Sequence, residues 1–171
     1  MEPDDGRAWD SKSWALAYQE PPDGVTAEKA SREALRLGYF TMITYYHLGR
    51  ALLVQGRYEE AIAAFEQARA LVRTSSIPDY GLPQVHLAKK EYDRASQMFF
   101  RIPEKQRHAA INRFVLSAIY AGRGDKEKAL AELQKTFEAG YRDFAAIDAS
   151  PHLVALRSDP RFQQLLRRYR Q

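Results

Sequence analysis

Four histidines are the side chains best suited to metal or acid–base chemistry in this sequence, and they stand far apart. Among His47, His86, His108 and His152, no two have the i, i+3 or i+4 spacing that places two metal ligands on one helix face. There is no cysteine, which excludes thiolate metal sites, disulfides and a thiol nucleophile. We therefore expect no metal and no cofactor.

The acidic and hydroxyl residues form no catalytic arrangement either. Glu59-Glu60 fall at the predicted start of a helix, where negative charge complements the helix dipole. Ser75-Ser76 have no basic partner nearby, and residues 122–126 lack the spacing of a phosphate-binding loop. We therefore predict that the chain is not an enzyme.

The net charge of +4 is unevenly distributed along the chain. Residues 1–28 carry seven acidic and two basic side chains, whereas residues 157–171 carry five arginines and one aspartate. The remaining basic residues are interspersed with acidic ones, unlike a phosphate-tracking stripe. We predict no nucleic-acid partner. Because no apolar run is long enough to span a bilayer and no secretion signal is recognisable, we also predict no membrane span and a cytoplasmic location.

A repeat of 34 residues determines which elements must position any functional side chain. Steps of 34 link Ala61 to Ala95 and Ala129, and two such steps link Gly56 to Gly124. Each unit contains two helix-length patterns separated by a short break, which predicts a helical hairpin. One hairpin leaves apolar surface uncovered, so successive hairpins are expected to stack around a shared core.

The clearest copy resembles a tetratricopeptide repeat, with Tyr45 at the position usually held by tryptophan, followed by Leu48-Gly49, Leu52, Gly56, Tyr58, Ala61, Phe65 and Ala68. Residues 110–139 are a second match. A middle copy keeps Leu82 and Tyr92 but has Pro83, so its first helix is expected to start near Leu82 or to kink. A degenerate fourth copy is an open alternative, with Trp14 and Tyr18 on its first helix.

This resemblance implies an all-α, right-handed α-solenoid of three hairpins, or four if the degenerate copy is included. We expect an acidic N-terminal segment or degenerate helix at 1–24, repeats at 25–139 and C-terminal capping helices at 140–171. Ser150-Pro151 and Asp159-Pro160 both predict helix starts. The tail after Gly140 is similar to the ends of tetratricopeptide regions in bacterial signalling proteins, which implies a bacterial source.

In the tetratricopeptide family the first helices of successive hairpins line a concave surface. We expect four residues of the first clear repeat to face into the hairpin: Tyr45, Leu48, Gly49 and Leu52. This leaves an adjacent apolar stripe facing the concave side. Steps of 34 extend that stripe through the repeats. The predicted partner-binding groove comprises Ile43, Tyr46, Arg50, Leu53, Ile77, Tyr80, Gln84, Leu87, Ile111, Phe114 and Ala118.

Three coverings for this groove are left open: a partner segment, the N-terminal 24 residues through Trp9, Trp14 or Tyr18, and a second copy in a homodimer. We favour a protein or peptide partner and predict an adaptor or scaffold that binds a peptide or helix. Alternatives are a regulatory or accessory module of a larger enzyme, signalling or transcription-regulator system, and a secretion-type chaperone. Of the family's carboxylate-clamping residues only Arg50 is present, which argues against capture of an acidic chain terminus.

Overall fold

The computed structural model describes residues 5–19 and 21–170, and every regular element in these ranges is helical. The predicted all-α class is therefore confirmed. Residues 1–4 and Glu20, which belong to the predicted N-terminal segment, lie outside the described residues. The helices are α1 (Gly6–Tyr18), α2 (Gly24–Arg36), α3 (Met42–Val54), α4 (Tyr58–Leu71), α5 (Gly81–Ala88), α6 (Tyr92–Phe99), α7 (Glu104–Arg107), α8 (Ala110–Gly122), α9 (Lys126–Glu138), α10 (Phe144–Ala149) and α11 (Pro160–Tyr169), with 3₁₀ turns at Ile77–Tyr80 and Val154–Leu156.

The chain divides into two compact units, Met1–Val85 and His86–Gln171, with the boundary inside α5. In the first unit, α1 packs against α2 and α3 packs against α4, so this unit contains two helical hairpins. The α1–α2 pair carries Trp14 and Tyr18 on its first helix, as expected for the degenerate copy. Helices α2 and α3 also pack against each other, which joins the two hairpins.

Side-chain caps and small residues explain these hairpins locally. Asp23 and Thr41 each accept a hydrogen bond from a backbone N–H in the first turn of the helix that follows, at 2.9 and 3.0 Å. Ala17, Ala27 and Ala51 form a buried cluster where α1, α2 and α3 meet. Because alanine has the smallest apolar side chain, the three helix backbones can approach closely at this point.

One aromatic ring fills the centre of the α3–α4 hairpin. Phe65 is fully buried, and a Cβ added to Gly49 would lie 2.7 Å from this ring. A Cβ on Gly81, at the start of α5, would lie 2.3 Å from the same ring. Both positions therefore need glycine because the ring occupies the space of a side chain.

Buried polar pairs attach α1 to the rest of the first unit. Ser13 on α1 and Ser31 on α2 have their hydroxyl oxygens 2.6 Å apart, and both residues are buried. Asp10 on α1 lies 2.9 Å from Nδ1 of His47 on α3, and both of these residues are also buried. The pairing satisfies polar groups that would otherwise destabilise the interior, and it defines the position of α1 along α3.

A second polar cluster surrounds Glu28, a buried carboxylate on α2. It accepts hydrogen bonds from Arg32 at 2.9 Å, from Gln55 at 2.8 Å and from Arg57 at 2.5 Å. Burial raises the pKa of this carboxyl, but the three donors together bring it below its usual range. Glu28 thereby joins α2 to the turn between α3 and α4.

In the second unit α8 and α9 form the main hairpin, and α6 and α7 pack against α8. Tyr92 at the start of α6 contacts Gly122 at the end of α8, where an added Cβ would lie 2.1 Å from the ring. Helix α6 is short and ends at Phe99, before Pro103. The first helix of this middle repeat begins at Gly81, close to the predicted start.

Five helix-ending turns share one hydrogen-bond pattern. At Gly56, for example, the backbone N–H donates to Leu53 and the next N–H donates to Leu52, which is a Schellman motif. Gly38, Gly124 and Gly140 occupy the same position with positive φ. The fifth such residue is Lys90, at φ 60°, which stands 34 residues from both Gly56 and Gly124.

The C-terminal helix α11 packs its apolar side against α9. Phe162 and Leu166 are buried, and the Tyr169 ring stacks on Phe137 with centroids 5.0 Å apart. Asp159 caps α11 as predicted, since its side chain accepts a hydrogen bond from the Arg161 N–H at 2.9 Å.

The helix start predicted at Ser150-Pro151 is wrong. Ser150 ends α10, and the chain continues through a turn into the 3₁₀ turn at 154–156. The serine side chain does not cap a following helix at this position. Proline alone is compatible with a first helical turn but does not require a helix after it.

Candidate functional site

Two large aromatic side chains lie exposed on α1 in the first unit. Trp14 is 54% exposed and Tyr18 is 45% exposed, and their ring centroids are 6.1 Å apart. They stand four residues apart, so both lie on the same side of the helix. Exposed large aromatics close together are more informative than scattered exposed leucines, because they leave apolar surface in water.

Arg50 on α3 lies directly against the Tyr18 ring of this pair. Its guanidinium carbon is 4.6 Å from the centroid of the Tyr18 ring, within the range of a cation–π contact. One terminal nitrogen, Nη1, donates to Oε1 of Gln84 on α5 at 2.5 Å. The Nε atom is buried and has no hydrogen-bond partner within residues 5–19 and 21–170.

Tyr46, one turn before Arg50 on α3, forms the inner part of the same surface. Its ring lies 5.4 Å from the buried Phe65 ring. Burial raises the pKa of the Tyr46 phenol above its usual range, and the neighbouring Tyr18 phenol raises it further. The phenol therefore stays neutral at physiological pH. We call Trp14, Tyr18, Tyr46, Arg50 and Gln84 together the aromatic patch.

The predicted groove residues of the first unit are all partly exposed. Arg50 and Gln84, which a step of 34 residues relates in the sequence, are directly hydrogen-bonded. Gln84 also donates to the backbone carbonyl of Tyr80 at 3.0 Å. The partly exposed predicted residues of this unit are Ile43, Tyr46, Arg50, Leu53, Ile77, Tyr80 and Gln84.

In the second unit only part of the predicted stripe is accessible. Ile111 is 50% exposed, whereas Leu87 and Ala118 are buried at 8% and 2%. The Phe114 ring stacks on Tyr141, with centroids 5.1 Å apart and planes 17° apart. Leu87 and Ala118 therefore offer almost no surface to a partner, because their helical positions turn them into the core.

The sequence predicts Trp14 and Tyr18 on the first helix of the degenerate copy, or as residues that cover the groove, and not as part of the binding surface. The structure places Tyr18 against Arg50 while nearly half of its own surface remains exposed. The i, i+4 spacing of the two aromatics was the available signal. The 34-residue step did not reveal them, since α1 and α3 begin 36 residues apart, at Gly6 and Met42.

The histidines have separate environments. His47 pairs with Asp10, and Nδ1 of His86 lies 2.8 Å from a Glu91 oxygen. Burial lowers the pKa of His152, and the nearby positive charge of Lys90 lowers it further. Over the described ranges 5–19 and 21–170, no group of three histidine, aspartate or glutamate residues is arranged to hold a metal ion.

Comparison with known proteins places part of the chain in a repeat family. Residues 52–115 match the family model of the tetratricopeptide repeat, which confirms the resemblance over this segment. No curated protein gives a significant match to the chain. Within the described residues, no helix is long and apolar enough to cross a membrane. Tetratricopeptide repeats form solenoids and generally mediate protein–protein interaction.

Proposed function

We propose that the tetratricopeptide repeats of this chain bind a segment of a partner protein, and that the aromatic patch of the first unit is the principal contact. The observation that carries this proposal is the exposure of Trp14 and Tyr18 beside each other. The proposal makes the chain an adaptor or scaffold, in keeping with the general role of the repeat family.

The residue types of the patch suit a protein interface. Tryptophan, tyrosine and arginine are the side chains most enriched among the residues that dominate binding energy. The two aromatic rings supply large apolar area with few rotatable bonds, so little conformational entropy is lost on binding. The indole N–H of Trp14 adds a polar group that can hydrogen-bond to a partner backbone.

The patch is also preorganised. Arg50 is held on one side by the Tyr18 ring and on the other by Gln84. The helix that carries the aromatics is fixed by the buried Asp10–His47 pair. A surface that is already in its bound geometry loses less free energy on association than one that must become ordered.

Selection from a random peptide library displayed on phage tests this proposal. The full chain is immobilised, and the selected peptides are then measured by fluorescence anisotropy against variants. We expect Trp14→Ala to weaken binding by about 2 kcal/mol, which is roughly a thirtyfold rise in Kd. Phe40→Ala is the matched control, because Phe40 is an exposed aromatic residue, 61% accessible, outside the patch.

Two results contradict the proposal. In the first, the wild-type chain selects no peptides above background. In the second, Trp14→Ala and Phe40→Ala lower affinity equally, which places the binding elsewhere. Light scattering on the free protein tests the homodimer alternative: a dimer that dissociates on Trp14→Ala assigns the patch to a second copy instead of another protein.

A further inference from the structure

Arg50 differs from the other partly buried arginines of the first unit in having no carboxylate partner. Arg57 pairs with Glu28 and Glu60, and Arg69 pairs with Glu66. For Arg50 the described residues provide only the neutral Gln84 side chain and the Tyr18 ring. Its Nε, moreover, is buried without a hydrogen-bond acceptor. A partly desolvated positive charge of this kind favours an incoming anion.

Two acidic side chains of the first unit, on α1 and in the 3₁₀ turn at Ile77–Tyr80, are engaged by other residues. Asp10 lies 2.9 Å from His47. Asp79, next to Tyr80, lies 3.7 Å from Arg69. Asp10 is paired with a histidine and Asp79 with an arginine, so each carboxylate has another partner within the first unit. Among the described residues, the Arg50 guanidinium therefore has an aromatic ring on one face and no carboxylate partner.

The geometry of this guanidinium favours an end-on approach through its two terminal nitrogens, Nη1 and Nη2. The Tyr18 ring covers one face, Gln84 occupies one donor of Nη1, and Nε is enclosed. The remaining terminal N–H groups are the ones that a ligand can reach. Paired N–H groups of arginine match the two oxygens of a carboxylate, which makes this pairing both strong and directional.

We infer that the partner segment carries an aspartate or glutamate side chain that binds Arg50, beside an apolar side chain that contacts Trp14 and Tyr18. This inference rests on the proposed function, since it names the chemistry of the segment that the aromatic patch receives. The carboxylate is assigned to a side chain within the segment because a single guanidinium faces it. Capture of a chain terminus in this family uses several cationic and amide groups together.

Paired synthetic peptides test the assignment. Each peptide selected by the wild-type chain that contains an acidic residue is made in two forms, with Glu or with Gln, and both ends are blocked. A charged hydrogen bond of about 1.5 kcal/mol corresponds to roughly a tenfold preference of the wild-type chain for the Glu form. This preference should decrease as salt concentration rises, because the patch is partly exposed.

The same peptide pairs are then measured against two protein variants, Arg50→Gln and the matched control Arg73→Gln. Arg73 is an exposed arginine in the loop after α4, so its loss lowers the net charge equally without altering the aromatic patch. We expect Arg50→Gln to abolish the preference for Glu over Gln and Arg73→Gln to retain it. Circular dichroism verifies that both variants fold, and the wild-type measurement with paired peptides does not depend on either variant.

The outcomes separate this inference from the function on which it rests. If the wild-type chain binds the peptides with equal affinity for Glu and Gln, the carboxylate assignment is wrong and the binding function stands. The assignment is also wrong if affinity requires a free C-terminal carboxylate and ignores internal acidic residues. If no peptide is selected at all, the binding function fails and this inference fails with it.

Discussion

Replacing Lys90 with glycine should stabilise the second unit. Lys90 ends α5 in the left-handed conformation, at φ 60°, where the equivalent positions Gly56 and Gly124 have glycine. Its backbone N–H donates to Leu87 at 2.9 Å, and the next N–H donates to His86 at 2.8 Å. The same Schellman pattern is present at the glycine turns, so the turn imposes this conformation regardless of the residue type.

The magnitude follows from two opposing effects. A residue with a Cβ loses roughly 1–2 kcal/mol in the left-handed region, because the Cβ approaches the following carbonyl oxygen. Replacing Lys90 with glycine removes this strain but costs roughly 0.5–1 kcal/mol, because glycine loses more conformational freedom when the chain folds. The Lys90 side chain is exposed and makes no ion pair among the described residues, so little else is lost. We expect Lys90→Gly to gain about 0.5–1 kcal/mol.

Urea unfolding followed by far-ultraviolet circular dichroism measures this change as a higher midpoint at unchanged slope. Lys90→Ala is the control, since alanine removes the charge but keeps the Cβ. Both variants should raise the pKa of His152 toward its ordinary value, because Lys90 contributes to lowering it. Only Lys90→Gly should also raise stability. If Lys90→Ala stabilises the protein as much as Lys90→Gly, repulsion between charges, and not backbone strain, is the cause.

Three further substitutions probe the helical packing and the caps. Gly49→Ala should destabilise the protein by about 1–3 kcal/mol, since the new Cβ would lie 2.7 Å from the Phe65 ring. Denaturant unfolding measures the loss of stability, and an unchanged unfolding midpoint would show that the ring moves freely. Glu28→Gln should lower the free energy of unfolding by about 1–3 kcal/mol near neutral pH, because the three hydrogen bonds to Glu28 lose their charged acceptor. Since the pKa of Glu28 is lowered in the folded protein, the stability difference between wild type and variant should shrink as the pH falls through that pKa. A difference that does not change with pH would contradict this reasoning. Hydrogen bonds from the Arg161 side chain and backbone lower the pKa of Asp159 to about 2. The contribution of Asp159 to stability is therefore present above pH 3.8 and lost as the pH falls through 2. NMR titration of the Asp159 carboxyl in wild type and Arg161→Gln measures the shift, and equal pKa values in the two proteins would exclude the arginine side chain as its cause.

Much of the fold could be predicted because the repeat encodes it locally. The period from Gly56 to Gly124 identified turns that have positive φ in the structure. Alanines at the same step identified close helix contacts, and Ala61, Ala95 and Ala129 are all fully buried. These features depend on residues within one repeat, so the sequence pattern contains the information needed to find them.

Less of the site could be predicted, because its accessibility depends on contacts between repeats. A step of 34 residues links Arg50 to Gln84, which are hydrogen-bonded in the structure, but it also selects Ala118, which is 2% exposed. The exposed fraction of a side chain depends on how each helix is rotated about its axis and on which neighbouring elements cover it. The 34-residue repeat pattern contains neither kind of information. The exposure of Trp14 similarly became clear only when the position of α1 was known.

The position of α1 is therefore what creates the aromatic patch, and buried polar contacts set it. Apolar contacts alone would tolerate some sliding of α1 along α3, because the small side chains of Ala17, Ala27 and Ala51 do not interlock deeply. The Asp10–His47 pair and the Ser13–Ser31 hydrogen bond tolerate much less, because each requires one register to remain satisfied. A slip of one turn would move Tyr18 away from Arg50 by about 5.4 Å, the pitch of an α-helix. The arginine would then lose the ring that holds it, and the aromatic pair would lose its charged neighbour.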